Sequence, residues 1–315
     1  MQPGQASRLA EWISRYGLLL ALVLLAGLLS CLTPNFATAQ NLLIVLRQIS
    51  INGILAVGVT YVLLTGGVDL SLGSVVALTG VVAAGFAHPG EYPVILAVLV
   101  GILAGSGCGL VNGLIVTRGK VAPFIVTLGM LTVARGLALV VSGGRPVSNL
   151  SSSFTVLGGG AIIGIPIPVL ILCVVAFASH VFLKRTRPGR YIYAVGGNEA
   201  AAYASGINVT AVKTLAYAVC GGLAGLAGIV LAARITTGQP NAGIAYELDA
   251  IAAAVIGGTS LSGGVGGIVG TLLGALLMGV LNNGLDLMNV SSYWQQIVKG
   301  LIIVGAVWFD QKGRR

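Results

Sequence analysis

The chain has 315 residues, is 56% hydrophobic and only 8% charged, with a mean hydropathy of +0.99. A soluble domain carries about 25% charged residues, so this chain lacks the polar groups to cover a globule. The net charge is +9, yet no basic stripe is interleaved with base-stacking aromatics, which argues against a nucleic-acid surface.

Glycine is plentiful, at 48 residues. Small residues let membrane helices approach closely without a bulky core. The expected fold class is therefore an all-α polytopic membrane protein, organised as one transmembrane domain over 1–315. A span needs about 20 apolar residues. Ten stretches qualify, at 16–32, 42–65, 72–88, 93–116, 121–141, 164–183, 213–233, 248–263, 266–288 and 292–309. The third and the eighth are the weakest and suit short or re-entrant segments.

The first stretch ends in "LLSC", which resembles a lipoprotein cleavage site at Cys31. A series of spans follows and the upstream segment is only weakly basic, so an uncleaved first helix is the better expectation. The other cysteines, Cys108, Cys173 and Cys220, also lie singly in apolar runs, without a CxxC pair. Neither a zinc site nor a disulfide framework is indicated.

Between the second and third stretches runs "GGVDLSLGS", a helix breaker followed by cap residues. Asp69 and Ser71 fit N-caps of the third helix, and they also fit a polar lining of a pathway. Arg47, Arg135 and Lys299 fall within or at the ends of apolar stretches, and Asp69, Glu247, Asp249 and Asp286 at stretch ends. Each cation costs about 2.5–3.5 kcal/mol at a helix centre, so snorkelling or ion pairing near the interfaces competes with a functional role. The candidates for a pathway or gate are Asp69, Ser71, Asn112, Asn282 and Asn283.

Further along, "GLIVTRGKV" at 113–121 mimics a phosphate loop but fails it twice. Five residues rather than four separate the glycines, and Val121 stands where a magnesium-binding Ser or Thr belongs. A hydrolase reading fails as well. Ser260 and Ser262 sit in a glycine-rich turn, but the two histidines, His88 and His180, are placed elsewhere in depth. A serine nucleophile needs its base in hydrogen-bond contact.

The stretch "KRTRPGRYIYAVGGNEAAAYASGINV", 184–209, is polar and glycine-punctuated between apolar runs. Gly196 and Gly197 break the chain, Asn198 is a good N-cap, and Glu199 suits the positive end of a helix. Gly206 is a natural stop. The result is a helix of about two turns, too short to stand alone. It is either an ordinary loop helix braced on its own bundle or a docking element.

Charge decides the expected orientation. With both termini cytoplasmic, the inside holds Arg8, Arg15, Arg118, Lys120, Lys184, Arg185, Arg187, Arg190, Lys213, Lys312, Arg314 and Arg315, which is 12 of the 17 cations. The outside loops hold at most Arg145 and Arg234. This is the positive-inside pattern, and Trp12, Tyr16 and Trp308 fall near the same interface.

The chain also echoes itself. "GGVDLSLG" at 66–73 and "GGTSLSGG" at 257–264 agree at five of eight positions, and "LVNGL" at 110–114 meets "LNNGL" at 281–285. The offset drops from 191 to 171 between the two pairs, so the second half is expected to lack one span. Internal repeats are common in transporters.

Taken together, "TPNFAT", "TGGVDLSLGSVVALTG", "GRYIYAVGGNEAAAYASGINV", "YELDAIAAAVIGGTSLSGG" and "LNNGLDLMNVSSYWQQIVKGLI" resemble the permeases of bacterial ABC sugar importers, those for ribose most closely. The resemblance runs through nearly the whole chain and implies a permease rather than an enzyme, moving a monosaccharide across the inner membrane. It implies a homodimer of ten-helix subunits, a cytoplasmic ATPase and a periplasmic sugar-binding protein. ATP and Mg would sit on the ATPase, with no cofactor on this chain. It further implies that the loop around 184–212 carries the coupling helix, through Gly196, Gly197, Asn198, Glu199, Ala200 and Gly206. Tyr203 and Ala204 depart from the Arg and Leu expected there. The rival class is a proton-coupled secondary sugar carrier with Asp69, Glu247 or Asp249 as relay groups.

Overall fold

A computed structural model describes residues 3–312, with side chains described for 17–305, 307 and 308. Arg8, Trp12, Arg15, Tyr16, Lys312, Arg314 and Arg315, on which part of the orientation argument rests, lie outside the described side chains. Thirteen helices and one two-stranded hairpin are present among the described residues. In chain order they are α1 (Pro3–Leu32), α2 (Ala39–Leu64), α3 (Leu72–Gly85), α4 (Val94–Thr117), α5 (Pro123–Ser142) and α6 (Ser152–Gly159). The hairpin β1 (Ala161–Ile162) and β2 (Ile165–Pro166) is antiparallel and leads into α7 (Ile167–Arg185). Then come α8 (Arg187–Gly197), α9 (Glu199–Ala204), α10 (Val209–Arg234), α11 (Tyr246–Ile256), α12 (Ile268–Leu287) and α13 (Ser292–Lys312).

Each of the ten expected stretches coincides with a helix, but the helices are not equivalent. Among the described residues, six are long and apolar enough to cross a membrane: α2, α4, α5, α7, α10 and α12. The third stretch gives only the 14 residues of α3, about 21 Å at 1.5 Å per residue. The eighth gives the 11 residues of α11, about 16 Å. A bilayer core is about 30 Å thick, so neither helix crosses it unaided.

The bundle is organised around α10, which packs on α2, α3 and α4. Its contact with α4 is a glycine seam. Gly101, Gly105, Gly109 and Gly113 recur every fourth residue on one face of α4, and a Cβ at Gly105 or Gly109 would collide with the α10 backbone at Gly221 or Tyr217. The collision is reciprocal, since a Cβ on Gly221 would meet the carbonyl of Gly105. Backbones at that distance gain van der Waals contact directly, as small-residue membrane interfaces do. Gly270 and Gly274 of α12 do the same against Gly257 and Ala253 at the end of α11. That seam joins helices of one chain.

The two echoes of the sequence differ by one element. After the first glycine-rich break come α3 and then α4 with "LVNGL"; after the second, α12 with "LNNGL" follows directly. The element without a counterpart is α3.

One end of the bundle gathers Arg118, Lys120, Lys184, Arg185, Arg187, Arg190 and Lys213 at the ends of α4 and α7, in α8 and at the start of α10. This basic end also carries α8 and α9. His88, Arg145 and Arg234 belong to the opposite end.

Candidate functional site

The polar segment 184–209 folds as two short helices rather than one. Thr186 caps α8, accepting a hydrogen bond from the Gly189 N–H at 3.2 Å, and a proline stands in its first turn. The "TRPG" pattern is an ordinary helix start that the sequence reading passed over. Asn198 then caps α9, its Oδ1 accepting from the Ala201 N–H at 3.0 Å, and Gly206, at φ 82°, ends the turn that follows. Both residues stand where the sequence placed them.

What braces such short helices is burial of one face. Ile192 and Val195 of α8 and Ala202 of α9 pack with Leu64, Leu183, Val212 and Ile268 in one cluster. The Tyr193 hydroxyl donates to the Gly266 carbonyl at 3.0 Å, and burial raises its phenol above the ordinary tyrosine value, so it stays a donor at neutral pH. The other face is open: Tyr191 and Tyr203 are exposed, Tyr203 by 75%. Grooves of roughly 490 and 610 Å³ flank α9, the first lined by Lys120, Glu199 and Lys213 among others, the second by Tyr203 to Thr210. Glu199 is not a free charge, because its carboxylate takes Lys213 Nζ at 2.6 Å.

The pathway candidates are all buried: Asp69 and Ser71 are 1% exposed, Asn112 0%, Asn282 3% and Asn283 5%. Three of them meet. Asp69 Oδ1 accepts from the Ser71 N–H at 2.9 Å and from the Ser71 hydroxyl at 2.6 Å, and Asn112 Nδ2 donates to Ser71 Oγ at 3.2 Å. This is an Asx turn, so the expected N-cap is corrected: Ser71 makes no side-chain cap bond to α3. Gly73, in the first turn of α3, instead lies against the Glu247 carboxylate of α11, which an added Cβ there would meet. Asn283 lies apart from the three and exchanges two amide hydrogen bonds of 2.9 Å with Asn41 of α2. The buried oxygens Asn112 Oδ1 and Asn282 Oδ1 have no partner.

Lys299, Asp249 and Arg135, within the helices, have partners. Lys299 Nζ lies 3.0 Å from Asp249 Oδ2 and joins α13 to α11. Arg135 Nη1 donates to the carbonyls of Pro240 and Ala242 at 2.6 and 2.8 Å. No group of three or more metal-ligating side chains occurs among the described residues.

A helical bundle with interrupted helices, a buried ion pair between two of them and an open polar helix pair at one end suits solute transport. The family model described as branched-chain amino acid transport system / permease component matches residues 41–307. The chain belongs to this permease family. Within the family it is 50% identical over 305 residues to the ribose import permease protein of Escherichia coli K12, covering 96% of this chain and 95% of the relative. It is 48% identical to the ribose import permease protein of Bacillus subtilis, covering 95% and 94%. To the L-arabinose ABC transporter permease protein of Azospirillum brasilense it is 38% identical, covering 96% and 89%. No solved structure matches the chain. As a family member it is a multi-pass transport subunit and not an enzyme.

Proposed function

We propose that the chain is the membrane-spanning subunit of an ATP-driven importer of a monosaccharide, ribose in the first place. One observation carries the sugar: half of the residues are identical to a ribose import permease over almost the full length of both chains. The arabinose permease, similar at 38%, keeps a monosaccharide as the substrate class. The basic end faces the cytoplasm of a bacterial inner membrane, because cations accumulate on that side. All ten apolar stretches contribute to the transmembrane body, α3 and α11 as partial crossings that complement each other.

Two copies of the chain form the permease. The α8–α9 pair is the coupling element, and Gly196, Gly197, Asn198, Glu199, Ala200 and Gly206 shape its surface for a cytoplasmic ATPase. ATP and Mg belong to that ATPase, and a periplasmic sugar-binding protein delivers the cargo to the opposite end. Asp69, Ser71, Asn112, Asn282 and Asn283 act in the gate only when the bundle rearranges, since all five are closed off here. ATP-driven closure of the ATPase moves α8–α9 as a rigid body.

Reconstitution tests this reading. Proteoliposomes holding the permease and its ATPase, with binding protein outside, should accumulate ribose when ATP is supplied within and ignore an uncoupler. Uptake that survives ATP depletion but stops with an uncoupler would make the chain a proton-coupled carrier.

A further inference from the structure

The sequence echo "GGVDLSLG" and "GGTSLSGG" marks the two places where helices are interrupted, between α2 and α3 and between α11 and α12. In the fold these two breaks touch each other. The Gly264 N–H donates to the Leu64 carbonyl at 3.0 Å, tying the second break to the last residue of α2. A Cβ on Gly263, whose φ is 89°, would come within 2.9 Å of the Gly66 nitrogen. A third backbone enters at the same point. A Cβ on Gly196 would run into the Leu64 carbonyl oxygen and the Gly264 nitrogen, and one on Gly264 would lie 2.8 Å from the Gly197 Cα.

We propose that Gly196, at the end of α8, is the positioning residue through which movement of α8–α9 reaches both interrupted helices at once. The proposal rests on α8–α9 being the coupling pair and assigns where its motion goes. Three features of the contact suit it to transmission. Backbone meets backbone, so no side-chain rotamer is available to absorb a small displacement. The arm behind it is stiff, because Ile192, Val195 and Ala202 are at most 4% exposed. A second strut, the Tyr193 hydroxyl on the Gly266 carbonyl, holds the far side of the second break. A shift of the pair therefore moves the start of the α2–α3 break and the end of the α11–α12 break together. Those breaks adjoin α3 and α11, which also touch where Gly73 lies against the Glu247 carboxylate.

A glycine of the second break supplies a control within the same corner. Gly267 has extended backbone and nothing within 4 Å of its Cβ position, so Gly267→Ala adds the same methyl without a collision.

The test uses the permease reconstituted with its ATPase and binding protein, and reads ribose imported per ATP hydrolysed beside co-purification of the ATPase. Gly196→Ala should retain the ATPase and its hydrolysis while sugar moved per ATP falls about five-fold or more, the lower edge of ordinary coupling energies. Gly267→Ala should match the wild type. Tyr193→Phe keeps the shape and removes one strut, so it should insert normally and still lower the ratio; it decides the matter if Gly196→Ala does not fold. A wild-type ratio in Tyr193→Phe and in a folded Gly196→Ala overturns the proposal, as does an equal loss in Gly267→Ala. If the ATPase fails to bind even the wild-type α8–α9 pair, it is the docking reading that falls, and co-purification reports that separately.

Discussion

Asn112 and Asn283 hold the same place in the echoed "LVNGL" and "LNNGL", and their environments show what an amide does in such a bundle. Asn112 pins the Asx turn that opens α3, whereas Asn283 exchanges two hydrogen bonds with Asn41 across α12 and α2. Interhelical hydrogen bonds in bilayers are worth about 0.6–1.7 kcal/mol, modest because the unfolded segments also find partners. Asn41→Ala should therefore lower the stability of the detergent-solubilised permease by about 1 kcal/mol, read as a fall in its thermal midpoint. The double change Asn41→Leu with Asn283→Leu should recover much of that, since both amides then go and neither is left unpaired. An unshifted midpoint for Asn41→Ala would remove the amide pair from the account. The sequence could place these asparagines inside spans but not assign their partners, because Asn41 lies 242 positions from Asn283. The Asp69 cap was misjudged for a related reason. The group that meets the first turn of α3 comes from Glu247, on another helix.

At the scale of elements, hydropathy found every apolar helix and misjudged the lengths of two. The windows at 72–88 and 248–263 ran past the ends of α3 and α11 because glycine, alanine and serine barely lower an apolar average. What ends these helices is backbone conformation: Phe86 closes α3, and Gly258, at φ 87°, follows the end of α11. The amphipathic α8 was missed, although a proline in the first turn begins a helix readily. Its neighbour α9 was legible in full, from cap to stop, since both signals are local. The seam of α12 on α11 gives a direct check. Gly274→Leu must displace the α11 backbone near Ala253, and such overpacking typically costs about 1–3 kcal/mol. A clearly lower unfolding temperature and yield are expected; an unchanged melting curve would show that the two helices do not pack as described. The same packing decides where coupling is best probed. Glu199→Arg would set a cation against Lys213 and disturb the bundle together with any docking, so Tyr203, exposed by 75%, is the cleaner probe.

For the molecule as a whole, charge and burial tell one story. The cations collect where α8 and α9 lie, the ion pair of Lys299 with Asp249 stays inside, and much of the remaining surface is apolar, with Leu103, Val140, Phe177 and Leu301 among the exposed side chains. Among the described residues, the polar, braced and open pair α8–α9 is where we propose that a soluble motor grips. The central claim is that force enters there. Cross-linking measures it most directly: the native cysteines Cys31, Cys108, Cys173 and Cys220 are replaced, Tyr203→Cys is introduced, and membranes carrying the complete importer are treated with a short bifunctional thiol reagent. The account predicts a covalent adduct between the permease and the ATPase, formed in membranes that retain ATP-driven ribose uptake before treatment and lose it afterwards. Uptake-competent membranes in which Tyr203→Cys yields no such adduct, while a cysteine at Arg145 on the opposite end does, would contradict it.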